Sequence, residues 1–119
     1  MVSIPFHITD WNSVGPVRWE GEKGFATWKT VQHDDLRIRL VEYSPGYVAD
    51  HWCTKGHVIF CLEGSFTTEL SDGRRFELHQ GMSYEVSDEL SSHRSSTKGG
   101  VKLLIVDGAF LKREKSVLM

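Results

Sequence analysis

Gly46-Tyr47-Val48-Ala49-Asp50-His51-Trp52-Cys53-Thr54-Lys55-Gly56-His57-Val58-Ile59-Phe60-Cys61-Leu62-Glu63-Gly64 sets two histidines and two cysteines into alternating β-type sequence. It is the only segment of the chain dense in metal-ligand residue types. His51 and Cys53 are two residues apart, a spacing that points both side chains to one face of a strand. After the turn-like residues 54–56, an apolar run opens with His57. A three-residue hairpin loop there would set Cys53 opposite His57 and His51 opposite Ile59, with His51, Cys53 and His57 on one face. In that register Cys61 lies opposite Ala49, so a disulfide to Cys53 would need a different pairing. With only two cysteines no disulfide framework is suggested, and a reducing cytoplasm is the expected compartment.

Working outward, residues 58–62 are apolar on both faces: Ile59 and Cys61 follow His57, while Val58, Phe60 and Leu62 face the other way. Such a strand must be covered on both sides, by an N-terminal arm or by another subunit. Upstream, residues 25–31 are rich in β-formers, and residues 36–43 alternate Leu36, Ile38 and Leu40 with Arg37, Arg39 and Val41. The polar turn 32–35 separates these runs, and Ser44-Pro45-Gly46 turns the chain into a strand expected over 47–53. Downstream, Glu63-Gly64 reads as a short connection to a strand over 65–71, and Asp72-Gly73 as a hairpin turn before Phe76 and Leu78. His79-Gln80-Gly81 turns again before Met82, Tyr84 and Val86. Residues 87–92 are polar, His93 follows them, and Lys98-Gly99-Gly100 leads to a closing strand over 101–107.

About nine short strands without a long amphipathic helix predict an all-β, single-domain architecture, closed or double-sheeted. Residues 1–24, broken by proline and glycine, read as an arm whose Phe6, Trp11 and Trp19 anchor it to the body. The body spans 25–108, and 109–119 form a C-terminal tail that could add one helical turn.

At 119 residues the chain is long enough to bury a core without staples, so a bound metal would be functional rather than structural. The formal net charge of -2 comes from interspersed charges, which argues against nucleic acid or anionic membrane as partner. The single basic cluster, at 112–115, reads as a solvated tail. The N-terminus shows no basic segment followed by a long apolar one, and no run of eighteen apolar residues occurs anywhere.

The pattern resembles the cupins, small jelly-roll β-barrels. Their first motif runs Gly, five residues, His, one, His, three or four, Glu, six, Gly. Here Gly46 is followed after four residues by His51, then after one by Cys53, after three by His57 and after six by Gly64. Gly81 and His93 resemble the ends of the second motif, with Ser87 where proline is usual and Thr97 where asparagine is. A closer resemblance is to the DHCW-motif cupin fold group, carried by Asp50-His51-Trp52-Cys53, Lys55-Gly56-His57, Cys61-Leu62-Glu63-Gly64 and the stretch from Met82 to Ser95. The resemblance implies a single-domain small jelly-roll β-barrel, a homodimer, and no established reaction. Carried over residue by residue, it implies a metal set of His51, Cys53, His57 and His93, with a thiolate and an extra imidazole in place of a histidine and a carboxylate. Imidazole and thiolate favour zinc first, with nickel, copper or iron as alternatives.

Cys61 reads as core, and Asp50 as a partner in a turn or in a hydrogen bond behind a ligand. His7, His33 and His79 read as surface residues, while Tyr84 faces either the cavity or the core. No catalytic residue is assigned: Ser95 and Ser96 lack a His-Asp relay, and Asp88 and Glu89 lack partners. Two functions follow. One is a small metalloenzyme acting on a small polar molecule; the other is a non-catalytic cupin that binds or senses a small ligand or metal. Cys53 separates them, because a fourth protein ligand would close a tetrahedral zinc site that catalysis needs open.

Overall fold

The structure, a computed structural model, describes residues 2–112. The rest of the tail expected at 109–119, including most of the basic run at 112–115, lies outside the described residues; a 3-10 turn occupies Ala109–Leu111. Eight strands are present among the described residues: β1 (Val17–Glu20), β2 (Phe25–His33), β3 (Leu36–Tyr43), β4 (His57–Leu70), β5 (Arg75–His79), β6 (Ser83–Val86), β7 (His93–Ser96) and β8 (Val101–Asp107). Every pairing between them is antiparallel. No helix among the described residues is long and apolar enough to cross a membrane.

Strand β4 joins the two layers. Its first half pairs with β6 and β8 in the layer that continues through β3 and β2 to β1. Its second half pairs with β5 and β7 in the facing layer. The expectation that Glu63-Gly64 ends a strand is corrected: the chain runs through as one strand, with a register slip between Cys61 and Glu63. Gly64 makes the passage with φ +86, where a Cβ would run into the Gly100 carbonyl. The core between the layers is built from Val41, Ile59, Cys61, Phe66, Leu78, Val101, Leu103 and Ile105. Cys61 is fully buried there.

Residues 47–53 are not a strand of a hairpin with β4, and this too is corrected. They run alongside β7 instead, through the bridge Val48 to Ser96 and the bridge Cys53 to His93. Five steps on this side match three on β7, so Asp50, His51 and Trp52 loop out of the ladder. Residues 54–56 cross between layers rather than turn back: Gly56 N–H donates to Asp88 Oδ1 and Glu89 N–H to the Thr54 carbonyl. Gly56 is buried, and a Cβ there would meet the Val86 carbonyl.

The N-terminal arm extends the sheet through β1 and lies along β2. Trp19 stands 5.1 Å from Trp28, and the Trp11 carbonyl accepts from Lys29 Nζ at 3.0 Å. Phe6 is exposed. The arm leaves the outer face of β4 open, and Phe60 and Leu62 are each 40% exposed there.

Candidate metal centre

Three elements meet inside the barrel mouth. The stretch alongside β7 ends on Cys53, the first residue of β4 is His57, and the first residue of β7 is His93. Their ligand atoms all lie within 4.8 Å of one another. Cys53 and His93 are cross-strand partners locked by reciprocal backbone bonds of 2.8 and 3.0 Å, which puts both side chains on one face. Cys53 Sγ lies 3.5 Å from His57 Nε2. Tetrahedral zinc bound to both would hold those atoms about 3.6 Å apart, given Zn–S near 2.3 Å and Zn–N near 2.05 Å.

The two imidazoles are oriented from behind. His93 Nδ1 lies 3.1 Å from the Ser91 carbonyl, which can only accept, so Nδ1 carries the proton. Its Nε2 is buried and has no hydrogen-bond partner among the described residues. A buried lone pair left open in this way, beside a thiol and a second imidazole, fits a metal ligand. His57 Nδ1 lies 3.2 Å from Asp107 Oδ2, leaving Nε2 to face Cys53.

Asp107 is itself anchored. It stands opposite Arg37 in the β3–β8 ladder and one residue past the Val58 to Val106 pair, so it lies between the inward arginines of β3 and His57 of β4. Arg37 holds both its oxygens at 2.9 Å, and Arg39 Nη2 reaches Oδ2 at 2.9 Å. Burial works against the Asp107 charge, but His57 and the two arginines more than reverse this and hold the carboxyl well below its usual range. Burial opposes charge on His57 as well, yet Asp107 and Cys53 raise its pKa. Burial likewise pushes the Cys53 thiol up, while its neighbours, His57 foremost, bring it down to about 5. A thiol so poised is readily available as a thiolate ligand.

Of the four residues expected as ligands, the structure brings together Cys53, His57 and His93. His51 stands apart on the loop at the rim, its side chain 72% exposed, with Nδ1 donating to Asp50 Oδ1 at 2.6 Å. The reading that put His51 and Cys53 on one face assumed a continuous strand, and the loop-out interrupts it. Three ligand-type residues rather than four leave room for an exogenous ligand.

The cluster opens onto a cavity of about 280 Å³ whose wall includes Trp28, Arg39, Tyr43, His51 and Tyr84. Tyr84 thus reaches the cavity, its ring 6.0 Å from His93 and its hydroxyl buried with no partner among the described residues. Arg37, Arg39 and Asp107 were not foreseen as part of the site. Their signal was the pair of arginines alternating with Ile38 and Leu40: charge here faces inward, and the aliphatic residues face out.

No family model matches the chain, and no curated protein does. Solved structures do match. An RmlC-like cupin from Shewanella frigidimarina is similar over 92% of this chain and 95% of its own, at 20% identity and a TM-score of 0.68. Fe(II)-HppE with an alternative substrate matches 90% of this chain and 62% of its own, at 16% identity and a TM-score of 0.73. Ectoine synthase from P. lautus matches 85% and 76%, at 11% identity and a TM-score of 0.66. The fold is the cupin jelly roll, and within it Cys53, His57 and His93 form a group able to hold a metal ion.

Proposed function

We propose that this chain is a metal-binding cupin of the DHCW-motif group that acts on a small polar molecule. The observation that carries the reading is the buried, unpartnered Nε2 of His93, oriented by Ser91 toward the same space as Cys53 and His57. These three residues would hold a divalent transition metal, zinc first, with nickel, copper and iron as alternatives; the iron named in Fe(II)-HppE supports iron on this fold. When bound, the metal would polarise a carbonyl or hydroxyl of the molecule in the cavity. Around it, Asp107 holds His57 in one tautomer and Arg37 and Arg39 hold Asp107. Both cysteines are free thiols, which suits a cytoplasmic setting. The exposed apolar face around Phe60 and Leu62 suits a homodimer.

The test is elemental analysis of untagged protein purified without chelator. Near-stoichiometric metal is expected in the parent and in His51→Ala, and most of it is lost in Cys53→Ala and His93→Ala. The reading fails if the parent carries less than about a tenth of an equivalent and takes up none on titration.

A further inference from the structure

Asp107 serves more cations than it can balance. Arg37 takes both its oxygens, and Arg39 shares Oδ2 with His57. One carboxylate for two permanently charged guanidinium groups leaves a positive charge in excess under the cavity. Arg39 is 4% exposed, lies over the Trp28 ring at 4.3 Å, and belongs to the cavity wall. Its Nε is buried and donates to nothing among the described residues. None of the described residues lining the cavity is Asp or Glu, whereas Lys55 and Arg94 join Arg37 and Arg39 in the wall. Arg94 is matched by Glu69 at 3.2 Å, so Arg39 is the cation that is both buried and short of a counter-charge. A buried cation short of a counter-charge is stabilised by an anion brought beside it.

We infer that the cavity receives a small organic acid, with its carboxylate on the Arg39 guanidinium and a second oxygen donor at the Cys53–His57–His93 group. Arg39 is a positioning and specificity residue in this arrangement, and Trp28 supports the flat guanidinium from beneath. Arg39 and His57 touch the same Asp107 oxygen, and both line the cavity with Cys53 and His93, so the carboxylate site and the metal site share one space. A cavity of about 280 Å³ suits a small acid with two oxygen-bearing ends. The second contact rests on the metal reading, while the first does not.

The experiment is calorimetric titration with malonate, its neutral diamide and inorganic phosphate, on zinc-loaded and on chelator-treated protein, with zinc measured in each sample. Malonate is expected to bind the zinc-loaded protein at least about tenfold more tightly than the diamide. Arg39→Lys, which keeps a charge for Asp107 but removes the planar guanidinium, is expected to lose about tenfold in malonate affinity at unchanged zinc content. Equal binding of malonate and diamide, binding of phosphate but not malonate, or an Arg39→Lys variant with parental affinity would overturn the inference. So would zinc uptake with no malonate binding. Malonate binding that depends on Arg39 in protein that takes up no zinc would support the acid site and overturn the metal reading alone. If Arg39→Lys does not fold, the comparison of malonate with diamide on the parent decides.

Discussion

At the scale of single residues, Cys53 owes its character to a chain of charges: Arg37 and Arg39 fix Asp107, Asp107 favours a charged His57, and His57 favours a thiolate. In metal-free protein, absorbance at 240 nm should therefore report thiolate formation with a midpoint of about 5, absent in Cys53→Ser. Asp107→Asn should move that midpoint upward, because the imidazolium loses its counter-charge. A parent midpoint near the ordinary thiol value of about 8.5 would show that the imidazoles do not act on Cys53. The stability signs follow. The lowered Cys53 value contributes stability that is complete above the unfolded thiol pKa of about 8.5 and is lost as the pH falls through about 5. The raised His57 value works oppositely, present below about 6.5 and lost as the pH climbs through its folded value.

Among the elements, β4 carries the heaviest structural duty, since it opens with His57 in one layer and ends against β7 in the other. Gly64 permits that passage, so Gly64→Ala should destabilise the fold by about 1–3 kcal/mol through strain at positive φ and the clash with Gly100. Urea unfolding measures this, and an unchanged midpoint would show that the crossing tolerates a side chain. Much of this element could be read in advance. The alternation of Ile59 and Cys61 with Phe60 and Leu62 separated the two faces, of which only the first is covered among the described residues although cover was expected on both, and Asp72-Gly73 marked the β4–β5 turn. The partner of residues 47–53 could not be read, because a three-residue turn at 54–56 and a crossing between layers use the same small and polar residues. The choice is made by Asp88, which lies 32 residues beyond Gly56, and by the still more distant His93. Arg39 and Asp107 escaped for a related reason: charges on a strand look solvent-facing until the distant partner is known.

For the whole molecule, the unsatisfied surface is the outer face of the larger layer. Phe60 and Leu62 are exposed, with half-buried Val58, Leu104, Leu40 and Ile38 alongside. Light scattering at micromolar concentration should find a dimer, and Phe60→Glu should shift it to monomer at unchanged metal content, since Phe60 faces away from the cavity. A monomeric parent would count against the dimer.

The loop at Asp50, His51 and Trp52 also bears on how this rim can vary. Its surplus over β7 is two residues, an even number, and an even surplus returns Cys53 to the same side of the sheet as Ala49, facing His57 and His93. A surplus of one or three would have turned the thiol to the outside. Insertions and deletions here are thus compatible with the centre only in pairs, so the rim can lengthen or shorten, and carry His51 with it, by whole pleats of the strand.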